Sequence, residues 1–166
     1  MPPSDFVILE EDHSRFLAVL QRLRDEANAR LTVLLDKNGQ QIAWSGELRG
    51  VDSTSLASLA AGNVAATEGL AQLIGEREFS ILFHEGENQH LHINVVDGRA
   101  ILLVLFDERS SLGLVRLRVR RASADLAEGL HAIARRAEMQ RAGLLPGGSP
   151  FSEITDEDID ALFSES

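Results

Sequence analysis

The chain contains no cysteine. That excludes disulfide scaffolds, thiolate metal sites and cysteine nucleophiles. It has no tyrosine, a single tryptophan and seven phenylalanines, a poor supply for a platform on which bases stack. The longest apolar run is Ala100–Phe106, far below the ~20 residues that span a bilayer. The start, MPPSDFVILEED, has no basic segment leading into a long apolar stretch, so no signal peptide is read there and a cytoplasmic location is expected. Positive charge is scarce. Against 26 Asp+Glu there are 16 Lys+Arg, a net charge of -10, which is a poor balance for holding a phosphate backbone. The signatures GxxxxGK[ST], GxSxG and HExxH are all missing, so neither nucleotide hydrolysis nor metal-dependent or serine hydrolysis is expected of the chain itself.

What is present is 166 residues, 44% of them hydrophobic, enough for one domain with a core plus a little extra. Charge is divided unevenly. Residues 1–108 carry 17 acids and 8 bases, 109–141 carry 3 acids and 8 bases, and 142–166 carry 6 acids and no base. A basic segment followed by an acidic tail suits pairing, either with each other or with separate partners.

Apolar residues at Phe16, Leu20, Leu23 and Ala27 recur at the helical period, predicting a helix over Asp12–Asn28. Leu31–Leu35 and Gln40–Ser45 read as strands joined through Asp36-Lys-Asn-Gly39, a turn signal. Asp52-Ser-Thr-Ser55 offers helix caps, and that helix runs to Gly75. A strand begins at Ser80–Phe83. Leu91–Val96 and Ala100–Phe106 form a hairpin across Asp97-Gly98. In 110–138 a short alternation competes with a longer helical series, and the longer pattern predicts one helix over Ser111–Gln140. Gly143–Pro150, GLLPGGSP, is a linker. Thr155-Asp-Glu-Asp158 then caps a last short helix whose apolar side is Ile154, Ile159, Leu162 and Phe163. Standing alone in water it would be marginal, so it needs a surface to lie on. The divisions are therefore an N-terminal extension 1–11, a domain 12–141, a linker 142–152 and an acidic amphipathic helix 153–166.

The helix over 52–75 is unusual. Leu56, Leu59, Leu70, Leu73 and Ile74 fall in one apolar sector, the expected core face. The opposite sector holds Ala57, Ser58, Ala61, Ala65, Glu68, Gly69 and Gln72, with one charge where a solvent face would carry several. Ala57, Ala61, Ala65 and Gly69 make an i, i+4 ridge of small residues that would let another backbone come close. A contact surface for a partner or a second copy is expected there, the alternative being a helix covered on both sides within one chain. Gly62 and Gly69 inside a helix each cost about 1 kcal/mol against Ala, which points to close approach at those positions.

This order of elements, with VDSTSLASLAAGNVAATEGLAQLIGE (Val51–Glu76), resembles the Roadblock-type domain of the dynein light-chain class. FHEG (Phe83–Gly86), ILLVLFDERSSLGLVRLRVRRAS (Ile101–Ser123) and SPFSEITDEDIDALFSE (Ser149–Glu165) are more similar still to the bacterial members that regulate a Ras-like cell-polarity GTPase of the MglA type. The resemblance runs from about Asp12 to the C-terminus. It implies an α+β fold, α-β-β-α-β-β-β-α, with a five-stranded antiparallel sheet, helices packed on it and a short C-terminal helix. It implies a homodimer built on paired central helices, holding one GTPase, at a cell pole, in polarity and motility control. It further implies GTPase activation without an arginine finger, by ordering the GTPase's switch loops, with no catalytic residue, cofactor or metal in this chain. The GTPase-facing positions carried over are Ala57, Ala61, Ala65 and Gly69, with Phe151, Ile154, Ile159, Leu162 and Phe163 in the tail. In the family that tail can reach a separate site on the GTPase and affect its nucleotide state.

Other arrangements compete. Arg109, after a strand, or Arg49, in a turn, could act as a finger in trans, against the simpler reading of solvated or structural arginines. His90 and His92 share a strand face near His84, Glu85 and Glu87, a metal-like pair without a third ligand at defined spacing; exposed hairpin histidines are the plainer reading. Arg116, Arg118, Arg120, Arg121, Arg135 and Arg136 read better as a solvated helix face, or as a dock for the acidic tail, than as a nucleic-acid surface. Arg121 and Asp125 form an i, i+4 pair. A Roadblock-type scaffold that recruits partners without stimulating hydrolysis is the alternative function, because a fold does not fix an activity.

Overall fold

Every predicted element from the first helix to the long helix over 111–140 forms, with boundaries moved by one or two residues. The computed structural model describes residues 7–143. The linker and the acidic tail of 144–166, including Phe151, Ile154, Ile159, Leu162 and Phe163, lie outside the described residues. The order is α1 (Glu10–Ala27), β1 (Leu31–Asp36), β2 (Gln41–Gly46), α2 (Ser53–Leu73), β3 (Ile81–Glu85), β4 (His90–Val96), β5 (Ala100–Phe106) and α3 (Leu112–Arg141). The chain divides into two compact units. One spans Ile8–Leu130 and contains the whole sheet. The other includes Val7 and the last turns of α3, where Arg136 Nη2 donates to the Val7 carbonyl at 3.1 Å.

Helix α1 starts two residues before the expected Asp12. Glu10, Glu11 and Asp12 fill its first turn, which suits the helix dipole, and Asp12 Oδ2 accepts the Leu9 N–H at 2.8 Å. It stops at Asn28, which sits left-handed at φ 51°. Strands β1 and β2 are joined by the expected turn. Asp36 Oδ1 accepts the N–H groups of Asn38 and Gln40, both at 2.9 Å, and Gly39 supplies a φ of +87°. At the second hairpin Asp97 and Gly98 both have positive φ, the pairing that matches the twist of the flanking strands.

The sheet is antiparallel throughout, in the order β2-β1-β5-β4-β3. Successive strand residues face opposite sides. Leu31, Val33, Leu35, Ile93, Val95, Ile101 and Leu103 form one face and cluster with Ala57, Ala60, Ala61 and Val64 of α2. The other face carries Thr32, Asn94 and their in-register neighbours. Thr32 Oγ1 donates to the Leu20 carbonyl of α1 at 3.0 Å, and Asn94 Nδ2 donates to Ser123 Oγ of α3 at 2.6 Å. One helix thus covers one side of the sheet, and α1 and α3 cover the other.

Where β2 ends, the chain passes so close to β1 that only glycine fits. Gly46 has φ +120°, and a Cβ there would lie 2.2 Å from the Arg30 carbonyl oxygen. We expect Gly46→Ala to destabilise the fold by roughly 2–4 kcal/mol, since both the backbone angle and the carbonyl clash oppose it. Urea denaturation checks this, and an unchanged midpoint would mean the β1–β2 end is far softer than its geometry.

Candidate functional site

Helix α2 begins with Asp52, whose carboxylate accepts the Ser55 N–H at 3.1 Å and its hydroxyl at 2.7 Å. These bonds hold the Asp52 carboxyl below the usual carboxylate range. The helix ends before Gly75, at φ +79°. Between these points its orientation is the reverse of the expected one. Ala57, Ala60, Ala61, Val64 and Ala71 are buried, while Leu59, Leu70, Leu73 and Ile74 are 74%, 58%, 82% and 68% exposed. Of the predicted core sector only Leu56 packs against the core.

The reason is steric. A helix seated closely on a pleated sheet needs short side chains beneath it. The β1–β2 turn tightens this further, because a Cβ on Gly39 would lie 3.2 Å from the Ala57 carbonyl and 3.3 Å from Ala61 Cβ. The four-residue ridge is split by helical drift. Each i to i+4 step advances about 40° beyond a full turn, so Ala57 and Ala61 point into the core while Ala65 and Gly69 emerge on the surface. Ala57 and Ala61 are therefore corrected from surface to core positions. Gly62 and Gly69 are exposed, and no atom of the described residues lies near the space a Cβ would take. Glu68, the one charge of this region, is paired with Lys37 of the β1–β2 turn.

The outward face of α2 is thus a continuous strip of Leu59, Gly62, Ala65, Ala66, Gly69, Leu70 and Leu73 with no charged residue in it. Trp44, 45% exposed, lies on the same side of the sheet, being in register with Val33. At the other edge Asn63 Nδ2 is hydrogen-bonded to His84 Nε2 of β3 at 2.9 Å, fixing edge strand and helix together. The exposed leucines were missed by the sequence reading. Their signal was the lack of charge all round this helix, which marks it as covered on more than one side.

The remaining candidates resolve by their partners. Arg109 is clamped by Asp107, Nε to Oδ1 at 3.0 Å and Nη2 to Oδ2 at 3.2 Å, and the guanidinium holds the Asp107 carboxyl below its usual range. Arg49 is exposed. His90 and His92 are not exposed hairpin residues. His90 is half-buried against Phe83 and Phe106, with centroids at 6.2 and 5.2 Å, and His92 is buried. Among the described residues no group of three His, Asp or Glu is arranged to hold a metal. Asp125 pairs with Arg22 of α1 rather than with Arg121, because tertiary packing supplies a better-placed cation than the next helical turn.

A five-stranded antiparallel sheet closed on one side by two helices, and on the other by one helix whose outer face is apolar, is the α+β arrangement of a Roadblock-type domain. The chain belongs to the Roadblock/LC7 domain family, which matches residues 15–106. Among solved structures it is similar to MglB of Myxococcus xanthus, at 50% identity and TM-score 0.73, over 76% of this chain and 96% of that one. It is also similar to the gliding protein MglB of Thermus thermophilus, at 35% identity and TM-score 0.70, over 75% and 94%. An MglB with a tetrameric arrangement matches at 34% identity and TM-score 0.71, over 80% and 96%. Comparison with curated proteins gave no match.

The buried histidine gives this half of the molecule a pH dependence. Both ring nitrogens of His92 lack a hydrogen-bond partner among the described residues. Burial first, and the Arg116 charge second, push its pKa from 6.5 down to about 4. The unfolded chain then binds a proton between about 6.5 and 4 that the native state refuses. The stabilisation is full above 6.5 and is lost as pH falls toward 4, amounting to about 3 kcal/mol at 1.36 kcal/mol per pKa unit. We expect His92→Leu to flatten stability against pH in that window, measured by denaturation at a series of pH values. A slope equal to that of the parent would remove His92 as its source.

Proposed function

We propose that this chain is a homodimeric activator of a small Ras-like GTPase of the MglA type, working in cell polarity and motility. The observation that carries the reading is the apolar, uncharged outer face of α2 in a chain half identical to Myxococcus xanthus MglB. Four exposed large aliphatic side chains on one helix are costly to leave in water, at about 25 cal/mol per Å² of apolar surface. A second copy covering them explains the strip, and the tetrameric arrangement named for one MglB relative supports self-association.

In this reading Leu59, Leu70, Leu73 and Ile74 bury against the partner copy's α2. The small residues Ala65 and Gly69 leave a shallow track along the paired helices where one GTPase sits. The chain supplies contact rather than chemistry. Holding the switch loops in the competent geometry lowers the entropy of reaching the transition state and aims the GTPase's own charges at it. The bidentate Asp107–Arg109 pair supports a mechanism without a finger, since Arg109 is already committed. The tail positions Phe151, Ile154, Ile159, Leu162 and Phe163 make a second contact with the GTPase that tunes its nucleotide state.

Single-turnover GTP hydrolysis by the GTPase, with and without this protein, tests the activity. Stimulation is expected, with tighter binding to the GTP or transition-state form than to the GDP form. Binding that ignores the nucleotide, without stimulation, would make the chain a scaffold. The double substitution Ala65→Arg with Gly69→Arg places two bulky cations on exposed positions and should reduce stimulation about tenfold or more, ~1.4 kcal/mol per decade. Normal stimulation by the folded double variant would move the GTPase site away from α2.

A further inference from the structure

We propose that the cavity at the end of the sheet where β1 begins and β5 ends binds a small phosphomonoester through Arg24, Arg30 and Arg109. The site stands apart from α2, and the proposal does not depend on GTPase activation.

The cavity holds about 200 Å³ and is lined by Arg24, Ala29, Arg30, Glu47 and Arg109. Arg24 lies in the last turn of α1, Arg30 directly before β1, Glu47 directly after β2 and Arg109 between β5 and α3. Antiparallel pairing sets the start of β1 beside the ends of β2 and β5. Arginines distant in sequence therefore reach one place. The backbone that carries them is tied down. Ala29 N–H donates to the Arg24 carbonyl at 3.0 Å, Arg30 N–H to the Leu105 carbonyl at 2.9 Å and Asn28 Nδ2 to the Arg109 carbonyl at 2.6 Å. A cavity with walls fixed in this way loses little freedom on binding.

The fold accounts for two of the three cations. Arg24 has Asp25 at 3.5 Å, and Arg109 is gripped by the buried carboxylate of Asp107. Arg30 differs. It is half-buried, and its one side-chain hydrogen bond goes to the neutral Gln89 Oε1 at 2.8 Å. Among the described residues no acid lies within ion-pair distance of it. Glu47 lines the same cavity and yet forms an ion pair with none of the three arginines. The charged groups stand around an open space instead of closing on one another. Each guanidinium keeps N–H donors that these contacts leave unused.

Those donors define the occupant. Guanidinium groups match the oxygens of a phosphate, and three of them offer more donors than one carboxylate can take up. Pockets for drug-sized ligands run from about 300 Å³ upward. The smaller volume here suits a phosphate group with a few carbons and is too small for a nucleotide. At neutral pH such a group carries a charge of about -2, which outweighs repulsion from Glu47, an exposed side chain that can turn toward water.

Inorganic phosphate titrated into the full isotope-labelled chain, against chloride at equal ionic strength, tests the site. Saturating amide shifts are expected at residues 24, 29, 30, 47 and 109, with a midpoint on the order of 1 mM or below. Glycerol 3-phosphate should bind at least as tightly. Arg24→Gln and Arg30→Gln should each weaken phosphate about fivefold. Glu47→Gln should tighten it about threefold, because it removes a like charge. Urea denaturation reports whether each variant is folded. Should Arg30→Gln unfold, Arg24→Gln and Glu47→Gln carry the decision. Shifts that never saturate, or that chloride reproduces, would overturn the proposal. Parent-like affinity in the folded arginine variants, or weaker binding in Glu47→Gln, would do the same. Glycerol 3-phosphate binding more weakly than inorganic phosphate would remove the ester as the ligand.

Discussion

The close seat of α2 on the sheet governs most of what is unusual in this molecule. One helix has to close a whole sheet face, and the strands already fill that face with Leu31, Val33, Leu35, Ile101 and Leu103. The helix can contribute only short side chains beneath itself, and Ala57, Ala60, Ala61 and Ala71 do so. Its large residues are left to the outer side. The apolar strip of Leu59, Leu70 and Leu73 is thus the necessary complement of a tightly packed interior.

The opposite side of the sheet is built on a different balance. There α1 and α3 are joined by Thr32, Asn94 and Ser123 hydrogen bonds to the strands and by ion pairs between the helices, Arg22 with Asp125 and Arg15 with Glu128. Charge that meets across α1 and α3 is cancelled. The two sides therefore offer contrasting surfaces, one apolar and uncharged along α2 and one rich in charge of both signs along α1 and α3.

Much of this was legible in the residues. Local signals placed the elements, because Gly39, Asp97-Gly98, Asp52 and Asn28 each do what their backbone chemistry demands. The rotation of α2 was not legible. Helical periodicity assigns the bulkier apolar sector to the core, and for a helix apolar all round that rule has no polar face to contradict it. Which sector goes inward was decided by the space above the sheet, a tertiary quantity. The same limit explains Ala57 and Ala61, which share a ridge with Ala65 and Gly69 yet lie on the other side of the surface. His92 was misread because strand alternation gives the face a residue takes but not whether a helix such as α3 lies over it. Asp125 had a plausible partner four residues away and a better one 103 residues away. The tail positions lie outside the described residues, so their reading rests on pattern and resemblance.

The contact between Gly39 and the inner alanines reaches further than local packing. Ala57 and Ala61 act as shims. Their thickness sets the height of α2 above the strands, and with it the plane in which Leu59, Leu70 and Leu73 stand. Two chains with identical outer leucines but a valine in place of one inner alanine would present those leucines at different levels. The level of the outer face is therefore calibrated from residues that lie beneath it, and the inner and outer sides of α2 have to change together whenever either one changes.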